Sequence, residues 1–274
     1  SKEIAENLRY MREELFPPMV EALHKLGGIP IKPILAESMQ MGDENHTRQT
    51  ACDYIYDRLM LPALFELDRP KKEIMKTVRY IVDTPRFFHC YGQAAARAAL
   101  VAADGTEYST MVTAVCGNGV EFGIKIASLP GQWFTAPAPM MKGRYTSSEF
   151  TEKDQLPWMG DSCVVECYGM GGFAAAASPI VCNLRGMTLK ESIGQTKEMY
   201  RITMEKNYNF PIPNLDFDFL PVGIDIRKVL KEGVCPAIHG GMFNRVGGLI
   251  GAGMARVPMQ CFEKALVAFG EKYL

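Results

Sequence analysis

The sequence predicts an α+β protein, with a helix-rich N-terminal part packed on a mixed α/β C-terminal part. Three observations carry this expectation. Through residue 104, apolar residues recur every three to four positions, the period of a helix buried on one face. After Asp104-Gly105, a turn, the chain changes to runs rich in Thr, Val and Tyr in near alternation, a strand signal. No Ser/Gly linker separates residues 1–104 from 105–274, so the two parts are expected to form one compact body.

Taken in order, Leu8, Met11, Leu15 and Met19 mark the first helical face, interrupted or kinked by Pro17-Pro18. A short helix over Met19–Leu26 stops at Gly27-Gly28. Ile34–Met41 is helical and ends at Gly42. His46–Leu67 has helical period, with Pro62 as a kink, and Ile74, Val78, Ile81 and Val82 mark a further helix. Phe87–Ala103 is Ala-rich and helical by propensity. Tyr108–Val115 and Val120–Ile126 read as a hairpin around Gly117-Asn118-Gly119. Gln132–Arg144 is extended and Pro-rich, and Ser162–Tyr168 reads as a short buried strand. Gly169-Met170-Gly171-Gly172 leads into an Ala-rich helix ending near Cys182. Thr188–Asn207 is a helix opened by a Thr188/Glu191 capping box. Val234–His239 is strand-like, and Pro258–Tyr273 is a final helix with Phe262, Leu266 and Phe269 inward.

Composition narrows the function classes. With 30 basic and 31 acidic residues the net charge is −1, so no basic field draws nucleic acid or an anionic membrane. A chain this close to neutral is expected to be a homo-oligomer or to sit among partner subunits. No apolar run is long enough to cross a membrane, and Ser1–Glu6 lacks the layout of a signal peptide, so a cytoplasmic location is expected. The first residue is not Met, which points to a processed chain or a piece of a longer one. Eight cysteines are scattered without a CxxC pair, and Cys163 and Cys167 have no second pair at zinc spacing. Free thiols, no metal and no cofactor are the expectation. The nucleophile-elbow, HExxH, EF-hand and kinase patterns are absent from the sequence.

The densest polar cluster is Gln40–Arg48, with Asp43, Glu44, His46 and Arg48 at a junction of two helices. Asp43 or Glu44 could orient His46 for proton transfer, and Arg48 could hold a carboxylate or phosphate. The other reading is a capped helix start, with Asp43 or Asn45 as the cap. Gly169, Gly171 and Gly172 could present backbone N–H groups to a small anion, or could serve close packing. Asn118 is a natural hairpin-turn residue. Asp225 and Arg227 read first as a structural ion pair. His239, after a strand, either faces a ligand or is hydrogen-bonded structure.

Several strings occur together: Gln40–Arg48 (QMGDENHTR), Thr113–Ile126 (TAVCGNGVEFGIKI), Trp133–Pro137 (WFTAP), Gly160–Phe173 (GDSCVVECYGMGGF), Leu215–Val229 (LDFDFLPVGIDIRKV) and Gly251–Leu266 (GAGMARVPMQCFEKAL). Across nearly its whole length and in the same order, the chain resembles the DUF1116 family. Members of that family include a subunit of the oxamate carbamoyltransferase of anaerobic allantoin breakdown. The resemblance places the chain as the C-terminal part of longer members, without their N-terminal α/β portion. Where family members often read Asp-Glu-Cys-His-Asn-Arg, this chain has Asn45 for the Cys and Thr47 for the Asn, and keeps His46 and Arg48.

The resemblance implies transfer of a carbamoyl group between phosphate and the amide nitrogen of oxamate; in the catabolic direction oxalurate and phosphate give oxamate and carbamoyl phosphate. On that reading His46 is the proton shuttle, oriented by Asp43 or Glu44. Arg48 and Arg227 grip phosphate or carboxylate, the Gly169–Gly172 turn supplies backbone donors, and Asn118 and His239 line the pocket. The alternatives are a non-catalytic subunit or a small-anion-binding module of a CoA-ligase-like acyl or phosphoryl transfer complex.

Overall fold

The computed structural model describes residues 2–274 and has the expected α+β organisation, helices first and sheets in the second half. Helix α1 (Lys2–Tyr10) passes through a widened π turn, Met11–Leu15, into α2 (Phe16–Leu26). The widened turn lies just before Pro17-Pro18, whose missing N–H groups and rings do not fit a regular helical ladder. Gly27 ends α2 in the left-handed region, at φ 70°. Then come α3 (Ile31–Gln40), α4 (Thr50–Phe65), α5 (Lys71–Asp83) and α6 (His89–Val101). Leu35 and Met39, Tyr56, Met60 and Leu64, and Ile74 and Ile81 turn into one core at helical spacing. Helix α4 starts at Thr50 rather than at the expected His46. The polar side chains of residues 43–49 bond nearby backbone groups and hold the segment as an irregular loop.

The hairpin of β1 (Val112–Asn118) and β2 (Glu121–Ile126) is extended by β3 (Phe134–Pro137) and, on the other side of β1, by β5 (Met159–Gly160). Helix α11 (Met259–Tyr273) buries Cys261, Phe262 and Ala265 against β2 and β3. A second antiparallel sheet orders β4 (Lys142–Tyr145), β9 (Leu249–Arg256) and β8 (Ala237–Phe243). A ribbon of β6 (Thr203–Ile212) and β7 (Asp218–Ile224) leads into α10 (Ile226–Glu232).

Four local expectations are corrected. Ser162–Tyr168 is not a strand: its middle is α7 (Val164–Cys167), a single buried helical turn. Periodicity cannot separate strand from helix in so short an apolar run. The Ala-rich stretch is split into a 3-10 segment, Gly171–Ala177, and α8 (Pro179–Leu184), broken at Ser178. The residue before a proline is driven out of the helical region, and Ser178 sits at φ −127°, ψ 73°. Helix α9 (Leu189–Met199) stops well short of Asn207, because Thr203 onward pairs with β7. The strand read at Val234–His239 begins at Ala237 and runs on through Gly240-Gly241, where its partner β9, also Gly-rich, was not read from the sequence.

The eight cysteines are free, five of them buried. Among the described residues no helix is long and apolar enough to cross a membrane.

The Thr188 capping box is present, with the Glu191 amide donating to Thr188 Oγ1 (3.2 Å) and the Thr188 amide to Glu191 Oε2 (2.7 Å). Thr188→Ala is expected to lower stability by about 1 kcal/mol. Urea denaturation of the two proteins measures it.

Candidate active site

The loop between α3 and α4 carries His46 into the interior, where its ring is only 3% exposed. Nδ1 lies 2.8 Å from Glu166 Oε1, and Nε2 lies 2.9 Å from Ser162 Oγ. Glu166 Oε1 also accepts the backbone N–H groups of His239 (2.9 Å) and Gly172 (3.0 Å). A carboxylate oxygen facing three donors fixes the tautomer: Nδ1 carries the proton, and Nε2 is left to accept from the Ser162 hydroxyl. Burial raises the Glu166 carboxyl, opposed by its bonds to His46 and the two amides.

Ser162 and Glu166 stand four residues apart on the turn that forms α7, so both side chains lie on one face and one imidazole spans them. Gly171 makes this approach possible. A Cβ there would lie 2.1 Å from Glu166 Oε1 and 3.0 Å from His46 Cβ, and its φ of +58° already disfavours a side chain.

Glu44 is fully buried and does not touch the His46 ring. Its Oε1 accepts the backbone N–H groups of His46 (3.3 Å), Thr47 and Arg48 (2.8 Å), and its Oε2 faces His239 Nδ1 at 3.2 Å. Burial pushes this carboxyl up, but the His239 hydrogen bond and the nearby charge of Arg185 outweigh burial and hold it at about 2. Gln195 donates to both the Gly172 carbonyl (2.7 Å) and His239 Nε2 (2.9 Å), so His239 carries its proton on Nδ1, toward Glu44. Burial and Arg185 push His239 down to about 4, and it is neutral at pH 7. Arg185 donates to Thr47 Oγ1 (2.5 Å) and to the Gly253 carbonyl (3.0 Å), tying the loop to β9.

Ser162, His46 and Thr47 open on a cavity of about 310 Å³, closed on the other side by Arg86, His89 and Gly240-Gly241. His89 stacks on His46 with ring centroids 5.8 Å apart. Burial and the neighbouring His46 push His89 down to about 4. Arg86 is exposed at the mouth, with its backbone in the left-handed region at φ 61°. Asp53 holds that conformation by accepting the amides of Arg86 (2.8 Å) and Phe88 (2.9 Å).

The other residues singled out in the sequence fall elsewhere. Asp43 accepts Arg48 Nη1 (2.6 Å) and the Cys52 amide (2.9 Å), so it caps α4 instead of orienting His46. Burial raises its carboxyl to about 6 against those bonds. Arg48 is thereby committed to Asp43. Asn45, at φ 62°, points behind the loop to Ser38, Cys52 and the Leu35 carbonyl, away from the cavity. The amides of Gly169, Gly171 and Gly172 donate to the Glu166 carbonyl, the Glu44 carbonyl and the Glu166 carboxylate, so this turn serves the protein's own acceptors. His239 is behind the cavity wall, completely buried. Asn118 caps its own hairpin turn through the amides of Val120 and Glu121, beside a separate hollow of about 290 Å³. Arg227 folds back on Asp225, the N-cap of α10, as the ion-pair reading expects.

Sequence reasoning missed Ser162, Glu166 and Arg86. An acid inside the apolar run Val164-Val165-Glu166-Cys167, four residues after a serine, was the available signal. Arg86 carried none, because a loop conformation is what brings it to the cavity.

A larger cavity, about 510 Å³, lies between α6 and β1, near Arg97, Lys125 and Trp133. Arg97 is bonded to the Thr113 carbonyl and Asp104, and Lys125 lies over the Trp133 ring at 5.0 Å. The smaller cavity is the one that holds a linked acid–base set.

Fold and site together define a buried hydroxyl–imidazole–carboxylate relay facing a small polar cavity. A family model described as oxamate carbamoyltransferase subunit AllG matches residues 1–162. The chain is 35% identical over 272 residues to the uncharacterized protein YahG of Escherichia coli K12, covering 98% of this chain and 57% of that protein. It is also 35% identical over 267 residues to the oxamate carbamoyltransferase subunit AllG of the same organism, covering 96% of this chain and 64% of that protein. A crystal structure of a conserved protein of unknown function from Enterococcus faecalis V583 matches with a TM-score of 0.95 at 34% identity, over 99% of this chain and 65% of that one. The chain belongs to the AllG family. The expected placement in the family's C-terminal part is corrected, since the family model matches residues 1–162 of this chain. The chain spans less than two thirds of the length of these relatives.

Two outcomes follow from this geometry. His239 and His89 are each lowered from 6.5 to about 4, so below pH 6.5 the unfolded chain takes up protons that the folded chain refuses. Glu44, lowered from 4.5 to about 2, acts in the same direction below pH 4.5, while Asp43, raised from 3.8 to about 6, opposes it. The contribution of the two imidazoles is therefore full above pH 6.5 and is lost as pH drops toward 4; urea denaturation of wild type and His89→Gln at pH 7 and pH 5 should show a smaller drop in the variant. Gly171→Ala should destabilise the protein by about 2 kcal/mol or more through overpacking against Glu166, and thermal melting checks this.

Proposed function

We propose that this chain is a subunit of a carbamoyltransferase acting on small anions, with His46 as the proton shuttle. The reading combines membership of the AllG family with one structural observation. That observation is an imidazole held between a buried carboxylate and a hydroxyl that opens on a cavity. Transfer of a carbamoyl group between phosphate and oxamate needs a proton moved off the attacking group and onto the leaving group. On this reading His46 does both: Glu166 steadies the ring and would stabilise it when charged, and Nε2 bonds Ser162 at the cavity. A neutral His89 stacked on it does not oppose that charge.

Carbamoyl phosphate, oxamate and oxalurate are small anions, and about 310 Å³ accommodates them. Their charge would be met by Arg86 at the mouth, which forms no ion pair among the described residues. This takes the place of the sequence-based assignment to Arg48 and Arg227, whose guanidinium groups are paired within the fold. The proposed setting is an assembly with partner subunits, as the name of the AllG relative implies for that protein.

The test is steady-state turnover of carbamoyl phosphate with oxamate in the full assembly. His46→Gln should lower kcat by roughly 10²–10⁴-fold with little change in KM. Arg86→Ala should mainly raise KM, by about 10–100-fold, for the loss of a charged hydrogen bond. Undiminished turnover in His46→Gln would sink the assignment. A melting shift with carbamoyl phosphate, about 2.7 kcal/mol at 100 times its Kd, gives an independent reading of binding.

A further inference from the structure

We propose that Ser162 is a nucleophile, and that the group being transferred is carried on Ser162 Oγ as a covalent intermediate. The identity of that group as carbamoyl rests on the function proposed above; the nucleophile itself rests on geometry.

Three features separate Ser162 from an ordinary hydrogen-bonding serine. Its hydroxyl is 2.9 Å from His46 Nε2, and the far side of the same ring is 2.8 Å from Glu166. Hydroxyl, imidazole and carboxylate bonded in that order are the arrangement that activates a serine, recognised by geometry and not by position in the chain. Second, the base cannot drift. Glu166 is fixed by the amides of His239 and Gly172, and the backbone carrying His46 is fixed by Glu44. Third, Ser162 is half-buried and lines the cavity beside the nearly buried His46, while Glu166 is closed off behind them, so the hydroxyl is the most open member of the relay.

The chemistry balances without further reagents. Ser162 Oγ attacks the carbonyl carbon of carbamoyl phosphate while its proton passes to His46 Nε2. The Oγ–C bond forms, the C–O bond to phosphate breaks, and His46 returns the proton to the departing phosphate. The product is a serine carbamate. In the second half the amide nitrogen of oxamate attacks the same carbon. The C–N bond forms and the C–Oγ bond breaks. His46 takes the proton from nitrogen and gives it back to Oγ, leaving oxalurate and free Ser162. The reverse sequence is phosphorolysis of oxalurate. The cavity then needs to hold only one small anion at a time, which its size permits.

The experiment follows exchange of radiolabelled phosphate into carbamoyl phosphate by the full assembly, with oxamate omitted, and peptide mass spectrometry after acid quench. The expected result is exchange without oxamate and a carbamoyl adduct on the peptide bearing Ser162. Both should be lost in Ser162→Ala and His46→Gln, whose melting temperatures are checked for folding. Ser162→Ala should cut turnover by at least roughly a thousand-fold. Exchange that requires oxamate, with no adduct, means direct transfer: it overturns the nucleophile and leaves the His46 assignment standing. Full turnover in Ser162→Ala overturns it as well. A fluorophosphonate probe separates the two proposals. If the wild-type assembly neither exchanges nor turns over carbamoyl phosphate, yet Ser162 is labelled and labelling is lost in His46→Gln, the nucleophile stands and the carbamoyl reading fails. If Ser162 is also unlabelled, the nucleophile fails too.

Discussion

Two carboxylates without access to water, Glu44 and Glu166, set the terms for this structure. A buried charge costs several kcal/mol unless donors surround it. Glu44 recruits the amides of residues 46–48 and the imidazole of His239. Glu166 recruits His46 and the amides of His239 and Gly172. Those donors come from the α3–α4 loop, from the turn after α7 and from β8. Satisfying two acids therefore requires three distant segments of the chain to meet at one point, and the cavity forms where they meet.

The same requirement explains the character of the site. Glu44, Glu166, His239, Gln195 and Arg185 each make at least one hydrogen bond behind the cavity wall, and these bonds join the loop, the glycine turn, β8 and β9. His239 and His89 are kept neutral by burial, which leaves His46 as the ring coupled to both a carboxylate and a hydroxyl. Asp43 and Asn45 hold the loop from the opposite side, through Arg48, Cys52 and Ser38. Asn45, at the position where the family resemblance implies a cysteine in other members, bonds Ser38, Cys52 and the Leu35 carbonyl on that side and faces away from the cavity.

The helices of the first hundred residues were legible because one-sided burial imposes a 3.6-residue period, and the β1–β2 hairpin because Asn118 and its flanking glycines permit a tight turn. The errors share a cause. The run Val164–Cys167 is buried on all sides, Glu166 included, and is too short for any period to distinguish a helical turn from a strand. Strand β9 alternates Gly with small residues whose partners, on β4 and β8, are about a hundred and about a dozen positions away. In the site, His46 was visible as an imidazole beside acids, and either neighbour could be drawn as its partner. The actual partner is 120 positions away.

The sequence by itself determined the fold class and the family, and it marked His46 as a candidate for proton transfer. These depend on local period, composition and ordered motifs, which survive in a linear string. Only the tertiary structure decided which carboxylate orients His46, that Ser162 lies on its other nitrogen, that Arg86 rather than Arg48 or Arg227 faces the cavity, and that the glycine turn cradles the protein's own Glu166. These are matters of which segments converge, and convergence is dictated by the burial of charge in three dimensions. Neighbouring residues along the chain carry no record of it.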